Sequence, residues 1–120
     1  MNLLQRALIE KAGTDNGFEH TLAVETGSVT LASARHPTRA TVMVAGSGFG
    51  VYFISGAPSL QPELRRSFPA ALQIGGEFTV DGEAALAGLL RRAASLSSAL
   101  PSQAAKSYGE AVAEALLTFP

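Results

Sequence analysis

The chain of 120 residues contains no cysteine. That excludes a disulfide framework, a thiolate zinc site and a cysteine nucleophile together. Histidine is scarce, His20 and His36 being the only two, so a zinc site would need carboxylates to complete it. Charge is thin as well: nine Lys/Arg stand against ten Asp/Glu, a formal net charge of −1, and no global basic field marks the chain for nucleic acid. There is no long apolar run at the start. Met1 leads into Asn2-Leu3-Leu4-Gln5-Arg6, which is neither the apolar core of a signal peptide nor a membrane span, and the expected location is the cytoplasm, away from any membrane.

What is present is enough to fold. A hydrophobic share of 47% against 16% charged residues lies far from the composition of disordered chains. The length suits one domain with a real hydrophobic core.

The patterning predicts a helix over 3–11, capped by Asn2, with Leu4, Ala7 and Leu8 on its apolar face and Gly13 as its stop. Thr14-Asp15-Asn16-Gly17 reads as a tight turn whose Asn-Gly pair tolerates positive φ, with Phe18 entering the core. Leu22 and Val24, then Val29 and Leu31, form a hairpin turning at Thr26-Gly27-Ser28. A second hairpin follows. Ala40, Val42 and Val44 alternate on one side of Ala45-Gly46-Ser47-Gly48, and Phe49, Val51 and Phe53 on the other.

A helical turn is expected over 58–68 and one strand over 73–80, with Gly75-Gly76 as a bulge. Asp81 then caps a helix carrying Leu86, Leu89, Leu90, Ala93, Leu96 and Leu100. Pro101 breaks it, and a second helix over 102–117 presents Ala105, Tyr108, Val112, Ala115 and Leu116. The chain finishes at Thr118-Phe119-Pro120 without a polar tail, as at a domain boundary. The expected fold is α+β: a mainly antiparallel sheet of about five strands with an N-terminal helix and two C-terminal helices packed on it.

An inventory of catalytic patterns comes out empty. No serine lies in a Gly-x-Ser-x-Gly elbow. Gly46-Ser47-Gly48-Phe49-Gly50 lacks the Gly-Lys-Ser/Thr ending of a phosphate loop and joins two strands. No acid-x-Lys group exists to complete a PD-(D/E)xK nuclease site. Asp81 and Glu83 suit a helix start, and Glu77 a solvated strand position. The chain is therefore expected to be no enzyme by itself, to hold no cofactor and to bind no metal. The remaining enzymatic option is a site built from Asp15, Glu19 and His36.

Two segments could read DNA. Ser33-Ala34-Arg35-His36-Pro37-Thr38-Arg39 gathers two arginines, a histidine and two hydroxyls, a mixture suited to phosphate contacts and to guanine edges; it is equally an exposed polar connection bent at Pro37. Lys11, Asp15, Asn16 and Glu19 frame the other. Asn can read an adenine edge and a carboxylate a cytosine amino group, or the segment is a helix stop and turn. The pairs Arg65-Arg66 and Arg91-Arg92 suit solvated helix faces, where neighbours diverge by about 100°. His20 is expected to be half-buried, and Tyr52 to pack on the sheet.

The pattern Ala7-Leu8-Ile9-Glu10-Lys11-Ala12-Gly13-x-Asp15-Asn16-Gly17-Phe18-Glu19, followed by Leu31-Ala32-Ser33-Ala34-Arg35-His36-Pro37, resembles the N-terminal region of bacterial HNH endonucleases of the restriction type. The likeness covers nearly all of the chain. It implies a DNA-targeting domain that binds double-stranded DNA and discriminates a modified base such as a modified cytosine, with a C-terminal HNH nuclease domain supplying metal and hydrolysis. The HNH motif itself is absent from these residues. The candidate DNA contacts are Lys11, Asp15, Asn16, Ser33, Arg35, His36, Thr38 and Arg39. The alternative is a protein-interaction or homodimerisation module that assembles the nuclease. A DNA reader should gather Arg35, Arg39, Lys11 and one arginine pair on one face, whereas an assembly module should show a contiguous exposed apolar patch.

Overall fold

The structure, a computed structural model, describes residues 1–55, 58–69, 72–74 and 76–99. Helix α1 spans Leu3–Asp15. Asn2 caps it as expected: its side chain accepts from the Gln5 N–H at 2.8 Å while the Gln5 side chain accepts from the Asn2 N–H at 2.9 Å, so two of the orphan donors at the helix start are satisfied reciprocally.

The far end of α1 departs from expectation. Gly13 does not stop the helix, which continues to Asp15 with Asn16 at the C-cap. Gly13 is required for another reason: a Cβ there would lie 2.7 Å from the Phe18 carbonyl oxygen and 2.8 Å from Leu31 Cδ1. The absent side chain lets the turn after the helix fold back onto it. The reversal uses Gly17 at φ +88°, the left-handed conformation that glycine adopts without penalty. The apolar face also differs. Leu4 and Ala7 are exposed while Ile9 and Gly13 are buried, because the stripe facing the sheet is set by Ile9, Ala12 and Gly13 at helical spacing.

Strands β1 (His20–Val24), β2 (Ser28–Ala32), β3 (Arg39–Ala45) and β4 (Gly48–Ile54) form consecutive antiparallel hairpins. Helix α2 (Leu60–Ser67) follows, then β5 (Leu72–Ile74) and β6 (Glu77–Val80). The single strand expected over 73–80 is thus two antiparallel strands, paired through Ile74 and Glu77, and the bulge expected at Gly75-Gly76 falls partly outside the described residues. Among the described residues the sheet has six strands in the order β1-β2-β3-β4-β6-β5, with every neighbouring pair antiparallel. Helix α3 spans Glu83–Ala99. Gly82, not Asp81, stands at its start, its carbonyl accepting the Leu86 N–H at 2.9 Å. The expected helix over 102–117 and Leu100 lie outside the described residues.

Burial alternates along the strands as a half-buried sheet requires. Val29 and Leu31, Ala40 and Val42, Phe49, Val51 and Phe53, and Phe78 and Val80 all face one layer. Ile9, Phe18, Leu60, Leu64, Leu86, Leu89, Leu90 and Ala93 complete that core from the helices and the turn. Burying each of the large side chains stabilises the fold by about 1.5–3 kcal/mol. The fold class is α+β, with the helices gathered on one face of an antiparallel sheet. The edge strand β1 departs furthest from the alternation: all five of its residues are exposed, Leu22 and Val24 included. An irregularity at Leu22 shifts its register against β2, and both side chains miss the core for which the alternation marked them.

Candidate nucleic-acid interface

α1 delivers Asp15 to the same end of the sheet where β2 hands over to β3 and where β4 and α3 finish. The two segments singled out in the sequence therefore meet, and side chains staple them together. Glu19 Oε1 accepts from Ser33 Oγ at 3.0 Å and from the Ala34 N–H at 3.1 Å. Ser33 Oγ in turn accepts the Arg35 N–H at 3.1 Å. The Ala34 N–H foremost, then Glu19's own backbone N–H, the Ser33 hydroxyl and nearby His20, hold the Glu19 carboxyl below its ordinary range. Donors to the ionised form stabilise it.

His36 and Thr38 anchor the rest of the loop. His36 is buried, with its Nε2 2.9 Å from the Gly17 carbonyl oxygen. A carbonyl only accepts, so the neutral ring carries its proton on Nε2. Its Nδ1 is buried and has no partner among the described residues, and the ring meets Phe18 edge-on at 5.0 Å. Thr38, 1% exposed, bonds Ser55 Oγ at 3.0 Å and Ser97 Oγ at 2.6 Å. This fixes the start of β3 against the last turns of α3.

Asn16 is also internal. Its amide donates to the Ala12 carbonyl at 2.8 Å and its oxygen accepts from Arg91 Nε at 3.0 Å. Lys11 and Asp15 are exposed but engaged with each other at 2.8 Å along the last turn of α1. The arginine pair on α3 diverges as helical neighbours do, Arg91 reaching Asn16 while Arg92 donates to Ser67. Arg35 and Arg39 are different in kind. Both are exposed, and among the described residues no carboxylate or other partner engages either guanidinium.

Of the candidate contacts, then, the structure brings Asn16, Ser33, His36 and Thr38 together as the framework of one loop cluster, with Arg35 and Arg39 projecting from it. Glu19, Ser55, Arg91 and Ser97 belong to that framework; the sequence marked Glu19 as a possible base or metal contact and Arg91 as a solvated helix residue, and gave no signal for Ser55 or Ser97, Thr38 and Ser97 being 59 positions apart. Asp15, Glu19 and His36 do not converge, and among the described residues no group of three or more His, Asp or Glu is placed to hold a metal ion. His20 is exposed where a half-buried ring was foreseen.

The opposite end of the molecule has another character. Met1, Leu3, Leu4 and Val24 line an open groove of about 760 Å³ between the start of α1 and the end of β1, and Leu3 and Leu4 are 82% and 70% exposed. Among the described residues no helix is long and apolar enough to cross a membrane. Compared with known proteins, the chain matches no family model, no curated protein and no solved structure.

Proposed function

We propose that the chain is a DNA-binding domain of the kind that targets a cytoplasmic HNH restriction endonuclease, and that it meets duplex DNA through the end formed by the 16–19 turn and the 33–38 loop. The observation that carries this reading is the state of Arg35 and Arg39. Among the described residues both lack an acidic partner, and they stand on a loop pinned at Glu19, His36 and Thr38 and at the start of the strand that follows it. A cation already paired must break that pair to meet a phosphate, whereas an unpaired one on a fixed backbone does not. The guanidinium fork also matches a phosphate or a guanine O6/N7 edge with two parallel bonds. Hydrolysis would belong to the HNH domain, and the present residues would supply position and preference, including preference for a modified cytosine.

The test is fluorescence anisotropy with short duplexes, unmodified or carrying 5-methylcytosine or 5-hydroxymethylcytosine, across a salt series. Arg35→Ala and Arg39→Ala are each expected to reduce the slope of log affinity against log salt by about one if the contact is to phosphate. A contact to a base edge would instead cost about 1–3 kcal/mol on the preferred sequence alone. No binding to any duplex at low salt overturns the reading.

The apolar groove favours a second reading, a homodimerisation or protein-interaction module that assembles the nuclease. Contiguous exposed leucines at Leu3 and Leu4 beside Val24 are what such a surface requires. Sedimentation equilibrium of the wild type and Leu3→Glu separates the two, since a dimer through this end is lost in the variant and a DNA-reading monomer is unaffected.

A further inference from the structure

The face of the sheet turned away from the helices carries a set of side chains that the loop site does not use. Paired residues of adjacent strands lie on the same side of a sheet, so the register defines rows across it. One row runs Thr30, Thr41, Tyr52, Glu77 over β2, β3, β4 and β6. The row above it holds Arg39 opposite Ile54, and the row below holds Met43, Gly50 and Thr79. Arg39 therefore belongs at once to the end of the loop cluster and to this face, on the diagonal from Tyr52.

Tyr52 and Ile54 are 40% and 61% exposed there, an unusual pairing for the centre of a sheet. Tyr52 does not pack away as an ordinary sheet aromatic. Glu77 lies across Gly50: a Cβ on Gly50 would collide with Glu77 Oε1 and would sit 3.3 Å from Met43 Cγ. Its other carboxylate oxygen accepts from the Tyr52 hydroxyl at 3.4 Å. Gly50 is thus a notch that lets the carboxylate lie flat beside the aromatic ring. The face combines a planar ring, an adjacent acceptor-only group, an aliphatic shoulder at Ile54 and an unpaired cation at Arg39.

We propose that this face binds an unpaired nucleotide whose base carries an exocyclic amino group, as cytosine, adenine and guanine do and thymine does not, in single-stranded or locally opened DNA. The base stacks on Tyr52, its amino group donates to Glu77, and Arg39 holds a neighbouring phosphate. Charge complementarity selects this occupant: Arg39, which has no partner among the described residues, lies on the same face as Glu77, so the face offers one cation to a phosphate and one acceptor-only carboxylate to an amino group. A stacked duplex buries the faces of its bases, so a ring offered flat on a sheet is of use only to a base that is out of its stack. Thymine offers no exocyclic amino group, and the carboxylate opposes its carbonyl edges. The site deepens the DNA-binding reading and rests on it, because Arg39 serves both.

The test uses oligo(dC), oligo(dA) and oligo(dT) twelve-mers beside a duplex, read by anisotropy at low salt. The wild type is expected to bind oligo(dC) and oligo(dA) more tightly than oligo(dT). Loss of one stacked base in Tyr52→Ala should weaken single-strand binding roughly 5- to 100-fold, with duplex affinity unchanged and Tyr52→Phe restoring most of it. Glu77→Gln, which keeps the shape and can both donate and accept, should erase the discrimination against oligo(dT). Circular dichroism of each variant confirms that the sheet is intact. Duplex binding without single-strand binding, or single-strand binding indifferent to Tyr52→Ala, overturns this proposal and leaves the duplex reading standing. Absence of binding to every probe overturns both.

Discussion

Replacing Gly13 by alanine sets two opposed effects against each other at one atom. In an ordinary helix interior the exchange is favourable by about 0.5–1 kcal/mol, because glycine loses more backbone freedom on folding. Gly13 sits in the last turn of α1, and the new methyl would lie 2.7 Å from the Phe18 carbonyl oxygen. That oxygen is backbone and cannot rotate aside. The Phe18 N–H is bonded to the Gly13 carbonyl at 2.8 Å, so the turn is held down on the helix at the very place where the methyl would push it up. Overpacking of this kind costs typically about 1–3 kcal/mol. The clash wins, leaving a net loss of about 1–2 kcal/mol, or roughly 4–15 °C in Tm for a domain of this size. The same displacement moves Gly17 and Glu19, to which the 33–38 loop is bonded through His36, Ser33 and Ala34, so duplex affinity should fall beyond what the unfolded fraction explains. Thermal unfolding by circular dichroism and anisotropy on the same sample give the two readings. A rise in Tm, the result that helix propensity alone predicts, would refute the close approach of turn and helix.

Other perturbations test the staples separately. Thr38→Val keeps the shape but leaves the Ser97 and Ser55 hydroxyls without their shared partner, and denaturant unfolding should register a loss of about 1–3 kcal/mol. Leu89→Ala empties a fully buried position on α3 and should cost about 2–5 kcal/mol in the same assay, whereas Leu4→Ser, on an exposed side chain, should change stability by no more than about 0.5 kcal/mol. Glu19 and Glu10 both titrate below the ordinary carboxylate value of 4.5, Glu19 chiefly through the Ala34 N–H and Glu10 chiefly through Arg6 and then Thr21. A depressed folded-state value contributes stability above the unfolded value, and that stability is lost as pH falls through the folded one. Tm should therefore hold down to about pH 5 and decline below it. The decline should be shallower in Glu19→Gln, and an acid limb identical to that of the wild type would rule out this role for Glu19.

The hairpins of β1 to β4 and the apolar stripe of α3 were legible because alternation and helical period are local properties, each written within ten or so neighbouring positions. Phe18 was legible as core because it is a large apolar residue just past a turn. The misreadings have a common cause. Gly13 looks like a stop from its own chemistry, and only the distant Leu31 and the returning Phe18 carbonyl reveal it as a contact point. Leu22 and Val24 alternate as core residues should, yet an edge position and a register shift leave them exposed. Gly75-Gly76 permits a bulge and a turn alike, and only the pairing of β6 with both β4 and β5 separates one strand from two. At the loop cluster the sequence singled out two segments, and the structure joins them. It did not show that Asn16, His36 and Thr38 would be spent on holding the loop while Arg35 and Arg39 were left outside, because the partners Arg91, Ser55 and Ser97 lie far along the chain.

Those long-range staples also set an order of events during synthesis. The hairpins can form as soon as their own residues are made, since each closes a short loop. The 33–38 loop gains its anchors in two stages: Glu19, Gly17 and Ser55 can hold it before α3 is made, whereas Asn16 waits 75 positions for Arg91 and Thr38 waits 59 for Ser97. A nascent chain stopped before α3 would hold Arg39 in the β3–β4 hairpin and Arg35 on a loop only partly anchored. On the DNA-binding proposal, the last part of the loop's shape would be acquired late, in the step that docks α3.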